Sequence, residues 1–284
     1  SFAIDAANYA RHQIQDNSPV TVCVYDKTMA DRQNMENEIA TGIDKAIRNR
    51  EFKVYLQPRF SLTTGKIVGA ESLVRWQKED GTLLPPDSFI PVYEKNGRII
   101  DLDFYMFEET VKLLAKWKEQ GLPQRLISIN APALTELELT ETATVSDYDH
   151  VKQLFAKLRT VGFRTALDDF GAGYSVLNTV IDIPVNTVKV DRAFINNCEI
   201  TRKGIYFLRE IINLLKGLGY HIVCEGVETP EQASILRNTM CDEVQGYWFS
   251  PPVPVAEFEK NDKYYDAKTV KIDKLVMKLV QDPK

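Results

Sequence analysis

Apolar and polar positions follow two periods along this chain. From Phe52 onward, short apolar runs of strand length alternate with longer stretches of helical periodicity. The strand candidates are residues 52–57, 67–74, 125–130, 137–140, 164–168, 187–191, 221–225 and 243–249. Among the helical stretches, 104–120 carries Phe104, Phe107, Val111 and Leu114 on one face and stops at Gly121. The stretch 151–161 carries Val151, Leu154, Phe155 and Leu158 and stops at Gly162, and 205–218 stops at Gly219. Thr229-Pro230-Glu231-Gln232 has the residues of a capping box, with Pro in the first turn. Alternating strands and helices imply parallel pairing. Eight strands in this length predict an α/β fold of the barrel type rather than an open doubly wound sheet, which would more often show a glycine-rich phosphate loop after its first strand.

Ahead of this pattern, residues 1–30 read as a helix followed by a β-rich run, Val20–Tyr25, too short to hold a core alone. Residues 34–50 form an amphipathic helix with Met35, Ile39, Ile43 and Ile47 on one face, a connector into the main domain. Beyond the last strand, Val270, Ile272, Leu275, Val276 and Leu279 predict a short helix. The expected organisation is a fragment at 1–30, a linker helix at 31–50, the main domain at 51–258 and a tail at 259–284. The opening residues Ser1–Ile4 already have helical character, so we expect a piece of a longer protein.

One connection breaks the β/α rule. Asn130 and Glu138 end adjacent strands, yet a parallel crossover needs about a dozen residues or more. We expect that a helix-length segment is missing from the sequence as read; the second alternative is a true deletion that opens the barrel there.

Composition changes little in this picture. The chain has 284 residues, 44% hydrophobic and 26% charged, with a net charge of −5. That balance argues against coating a DNA or RNA polymer or an anionic membrane through bulk charge, but not against a phosphate ligand held locally. No apolar stretch has membrane-spanning length. None of the four cysteines forms a C-x-x-C pair, and Cys224 reads as a small core residue. We expect a reducing, cytoplasmic setting without disulfides. With three histidines, neither a His-rich zinc site nor a serine–histidine triad suggests itself.

The candidate chemistry lies at the strand ends: Glu71, Asn130, Glu138, Asp168-Asp169, Lys189, Glu225 and Gln245. A charged group closing a buried strand is costly without a partner. A succession of them predicts one site built from strand ends, as β/α barrels build theirs. Any one of these acids alone is more simply a cap or a surface group; the matching positions argue otherwise. Hard oxygen donors without Cys or His favour Mg²⁺ or Mn²⁺. Asp168 and Asp169 would point to opposite faces in a regular strand, but a turn at the strand end lets both reach one cluster. Lys189, flanked by valines, calls for a carboxylate, a phosphate or a water near metal; its plainer reading is an ion pair with Asp191 or a neighbouring acid. Glu225 could bind a second metal or take a proton from water, with Gly226 allowing close approach. Glu228 could serve the helix entry at Thr229. Gly171-Ala172-Gly173-Tyr174-Ser175 is a flexible loop that could act as a lid.

Glu71-Ser72-Leu73-Val74-Arg75-Trp76 resembles the signature of the EAL domain family of cyclic di-GMP phosphodiesterases. The resemblance extends through Gln57-Pro58, Asn130, Glu138-Leu139-Thr140-Glu141, Asp168-Asp169-Phe170-Gly171, Lys189-Val190-Asp191, Glu225-Gly226-Val227-Glu228-Thr229 and Gln245-Gly246-Tyr247. It implies a modified TIM (β/α)8 barrel with the first strand antiparallel, and hydrolysis of cyclic di-GMP to linear pGpG. It further implies one metal held by Glu71, Asn130, Glu138 and Asp168, and a second served by Asp168, Asp169 and Glu225. Lys189 would orient or deprotonate the nucleophilic water, and Glu141 would anchor the loop after Asp169. Gln57, Leu73, Arg75, Asp191 and Gln245 would serve the dinucleotide. Residues 1–30 resemble the end of a GGDEF domain, and a homodimer is expected. The departures are Ser72 where the family usually has Ala, the missing third helix, and Met240 where glycine is common. The alternative in a different class is a catalytically silent receptor for the same ligand, signalling through the 34–50 helix.

Overall fold

The computed structural model describes residues 2–12, 22–123, 125–129, 153, 157, 160, 164–172, 185–199 and 201–261. Asn130, Glu138, Glu141, the expected strand 137–140, most of the expected helix 151–161, the loop 173–175 and the tail beyond 261 lie outside the described residues. Residues 153, 157 and 160 are helical, as the periodicity predicts. The chain divides into two compact units, residues 1–53 with 74–105, and 54–73 with 106–284.

In the first unit, α1 (Phe2–His12) precedes α2 (Lys27–Arg48). Helix α2 starts well before the expected residue 34 because Asp26 caps it, accepting from the Met29 amide at 2.8 Å. It buries Ile39, Ile43 and Ala46, while Met35 stays exposed. The expected strand at Val20–Tyr25 is corrected: its described part, Val22–Tyr25, is not a strand. Among the described residues no strand lies beside it, and a β-rich run without a ladder partner has no sheet to join. Two further elements carry no strong sequence signal, β3 (Leu83–Leu84) and α3 (Ile90–Asn96). An aromatic cluster of Phe52, Trp76, Phe89, Tyr93 and Tyr105 forms this unit's core. The Trp76 indole donates to Glu51 Oε2 at 2.8 Å, so its one polar atom is satisfied.

The second unit is built on a sheet with the order β4-β2-β1-β8-β7-β6-β5. The strands are β1 (Phe52–Ser61), β2 (Ile67–Gln77), β4 (Leu126–Ile129), β5 (Ala166–Phe170), β6 (Thr187–Val190), β7 (His221–Cys224) and β8 (Glu243–Val244). Pairing is parallel between β2 and β4 and from β5 through β8, whereas β1 runs antiparallel to β8. A short β9 (Val253–Pro254) also pairs antiparallel with β1. The expected strand 243–249 is cut to Glu243–Val244. From Gln245 the backbone turns, and a side chain at Gly246 would collide with the Val227 backbone.

The helices of this unit are the second half of α4 (Ile99–Glu119), α5 (Arg192–Glu199), α6 (Arg202–Gly217), α7 (Pro230–Arg237) and α8 (Val255–Asn261). Thr201 caps α6, accepting from the Gly204 amide at 3.0 Å. The capping box at Thr229 is present with both reciprocal bonds, each 3.1 Å. Leu208, Ile212 and Leu215 of α6 pack against Val188, Val190, Ile222 and Cys224 of β6 and β7 within one buried cluster. This packing fixes the C-terminal ends of β5, β6 and β7, where the charged residues sit.

Candidate active site

Lys189 is the hub of the site. It sits on β6 with valines on both sides, all buried. Its Nζ lies 2.8 Å from Asp168 Oδ2, 2.8 Å from Glu225 Oε1 and 3.6 Å from Glu71 Oε1. The three acids come from the ends or inner faces of β5, β7 and β2, so three separate strands converge on one ammonium. Burial alone would lower the Lys189 pKa; the carboxylates of Glu71, Glu225 and Asp168 overcome it and raise it. Lys189 therefore keeps its proton across the physiological range.

The acids respond to the same environment. Glu225 is pushed up to about 8 by burial, with Glu71 and Asp168 adding to it and Lys189 opposing. Asp169 is raised by burial and then by the charges of Asp168 and Asp191. The register of β5 against β6 shifts between Leu167 and Phe170, a bulge that contains both aspartates. Asp169 sits at φ +54, in the left-handed region. The bulge is how two adjacent residues escape strand alternation, and the positive φ is a local strain of the kind found at functional sites.

Behind Glu71 lies a chain of amides. Gln245 Nε2 donates to both Glu71 Oε2 and, at 3.1 Å, Gln57 Oε1. Gln57 Nε2 donates in turn to the Ser250 carbonyl at 3.2 Å. All of these side chains are buried. Gln57 and Gln245 thus hold Glu71 in place within the protein itself. Asp191 Oδ1 accepts from the Ala193 amide at 2.7 Å, at the start of α5. Leu73 is half-buried on β2. Arg75 belongs to the first unit, where its Nη1 donates to the Val74 carbonyl at 2.8 Å. The sequence reading missed two partners: Arg192, 2.7 Å from Glu228, and Ser250. Gly226, at φ +62, admits the Arg192 side chain where its own Cβ would stand. Glu228 serves the helix entry through its amide, which donates to Gln232 Oε1 at 2.7 Å, while its carboxylate meets Arg192.

The donor set suits hard cations. Glu71, Asp168, Asp169 and Glu225 offer oxygen only, and with Asp191 nearby these acids outnumber the single ammonium. Glu225 Oε1 and Gln245 Oε1 are buried without a hydrogen bond, the former touching Lys189 only as an ion pair. Among the described residues, no three Asp, Glu, His or Cys side chains already close around a cation; Asn130 and Glu138 lie outside them.

This arrangement has relatives. The model of the EAL domain matches residues 41–136 and 131–252, which together take in most of the chain. The chain belongs to the EAL domain family. The two matches meet at 131–136, in the short connection after Asn130. Cyclic di-GMP phosphodiesterase NbdA of Pseudomonas aeruginosa is 30% identical over 278 aligned positions, covering 89% of this chain and 36% of NbdA. Signaling protein YkoW of Bacillus subtilis is 30% identical over 277 positions, covering 89% of this chain and 35% of YkoW. The chain spans about a third of the length of these curated relatives. The full sequence is continuous from Asn130 to Glu138. The connection from Asn130 to Glu138 lies outside the described residues. Among solved structures, the PaMucR phosphodiesterase in complex with c-di-GMP aligns with a TM-score of 0.69 at 26% identity, covering 78% of this chain and 99% of that one. The EAL domain's sheet is a curled half-barrel of the same kind.

Proposed function

We propose that this EAL domain hydrolyses cyclic di-GMP to linear pGpG with two Mg²⁺ or Mn²⁺ ions. The observation that carries the reading is the gathering of carboxylates at the strand ends: Glu71, Asp168 and Glu225 converge on Lys189 with Asp169 and Asp191 beside them, so that with its acids ionised the site is negative among the described residues. A site that negative repels a phosphodiester unless cations enter with it. The name of NbdA and the ligand in the PaMucR structure agree with this substrate. Glu71 and Asp168, with Asn130 and Glu138, would hold one ion; Asp168, Asp169 and Glu225 would serve the other. When bound, such ions polarise a phosphoryl oxygen and make a bound water more acidic.

The chain's own residues divide the remaining work. Lys189, held among these carboxylates, would act as a donor that orients water or offsets charge on the phosphoryl group. Glu225, in its ionised form beside Lys189, would accept a proton from the attacking water. Gln57 and Gln245 keep Glu71 oriented. Chromatography of cyclic di-GMP incubated with the protein and Mg²⁺ or Mn²⁺ tests the reading: a linear dinucleotide is expected, and chelator should abolish it. Glu71→Ala is expected to lower turnover at least about a hundredfold; full activity in metal-replete buffer would sink the assignment.

The second reading, a receptor that binds cyclic di-GMP without turnover, is favoured by one observation. Lys189 already supplies a positive charge among the three acids, so the cluster is held together without metal. Tight binding with unchanged substrate selects the receptor.

A further inference from the structure

The structure assigns to Ser72 and Thr110 a positioning role for Glu71, an inference that rests on the phosphodiesterase reading. Glu71 and Ser72 are neighbours on β2, so their side chains leave opposite faces of the strand. Glu71 turns toward Lys189 and Gln245. Ser72 turns away and meets α4, where its Oγ lies 2.8 Å from Thr110 Oγ1. Both hydroxyls are buried, Thr110 completely.

The direction of these bonds follows from the donor count. Thr110 has a single hydroxyl proton, and at 2.8 Å it is directed to the Met106 carbonyl one turn back. Ser72 must therefore donate to Thr110. Thr110 also stands in a stripe at helical spacing with Met106, Leu113 and Trp117, all buried or packed against the core. That position suits valine. A hydroxyl there is costly unless partnered, and so is the serine opposite it. Apolar contact between a helix and a strand is non-directional and tolerates small slides. A buried hydroxyl pair does not. It fixes β2 along and around its axis one residue from Glu71, the one acid whose carboxylate joins Lys189 to the Gln245–Gln57 chain.

The bond's polarity makes the test specific. Thr110→Val keeps the shape but leaves the Ser72 hydroxyl buried without an acceptor. Ser72→Ala removes the donor and leaves Thr110 satisfied by Met106. The double variant removes both and orphans neither. With cyclic di-GMP and Mn²⁺, kcat should fall about tenfold in Thr110→Val and about threefold in Ser72→Ala, and return to the threefold level in the double variant. KM should stay within about twofold throughout, and Thr110→Ser should retain most of the rate. Hydrogen exchange over residues 67–73 should quicken in Thr110→Val and recover in the double variant. Equal kcat in all variants, or a Thr110→Val loss that the double variant keeps, would overturn the inference. If the wild-type protein releases no linear dinucleotide, the phosphodiesterase reading fails on its own. Exchange over 67–73 then decides the pair: quickened and rescued exchange upholds it, and unchanged exchange rejects it.

Discussion

Removing the Lys189 ammonium would leave Glu71, Asp168 and Glu225 facing one another in a buried site. A buried charge stripped of its partner costs about 3–5 kcal/mol. Lys189→Met, which keeps most of the side chain's volume, should therefore lower stability by about that amount in chelator. Added Mn²⁺ should restore part of it, since a cation can take over the ammonium's electrostatic work; denaturation with and without metal checks both. Glu225 gives a pH dependence of opposite character. Its folded-state pKa is raised to about 8, so the folded protein holds that proton more tightly than the unfolded chain does. The stabilisation is complete below the ordinary carboxylate range and is lost as pH rises through about 8. Metal-free protein should become easier to denature over that interval, and Glu225→Gln should flatten the dependence; an unchanged slope would rule it out. At this scale the sequence was most legible. A charged residue ending an apolar run is a costly arrangement that needs a reason, and Glu71, Asp168, Lys189 and Glu225 do converge. The plainer reading of Lys189, an ion pair with Asp191 or a neighbouring strand's acid, also holds in its second form: the partners are Glu71, Asp168 and Glu225. The amide chain behind Glu71 was not legible, because glutamine on a strand end carries no sign of which way its amide points.

Elements with strong periodicity and caps were read well, and those defined by tertiary contacts were not. Thr229 to Gln232 illustrates the first kind: the capping box seen in four residues is present in full, and Gln232 adds a bond of 2.8 Å to Asn196 on α5. The motif therefore ties α7 to α5 as well as starting α7. Gln232→Ala should cost more than Thr229→Ala, which by itself should lose about 1 kcal/mol. Gln232→Ala removes the acceptor for two backbone amides and the donor to Asn196, and urea denaturation of the two variants checks the order. The run Val20–Tyr25 illustrates the second kind. Its β-branched residues satisfy local propensity, but a strand exists only beside another strand. The β5 bulge was invisible for a related reason. A turn at the strand end was expected to bring Asp168 and Asp169 together, whereas the extra residue is set by pairing with β6.

At the scale of the whole molecule, the sign of the charge settles what any ligand must bring with it. The chain carries a net charge of −5, and the strand-end cluster adds local negative charge around one lysine. A cyclic dinucleotide with two phosphodiesters is itself an anion. Bulk attraction would not draw such an anion in, so the two-metal reading expects recognition that is local and coupled to cations. Coupling of this sort is reciprocal: whatever factor Mn²⁺ contributes to cyclic di-GMP affinity, cyclic di-GMP must contribute to Mn²⁺ affinity. Calorimetric titrations with a cyclic di-GMP analogue that resists hydrolysis should give a coupling of at least about tenfold in each direction. The receptor reading makes the opposite demand, because Lys189 alone would have to neutralise the acids that face the ligand. Equal cyclic di-GMP affinity in Mn²⁺ and in chelator would therefore count against two-metal hydrolysis even before turnover is measured. Strong mutual tightening would mean that the acid cluster is incomplete without cations, as its charge implies.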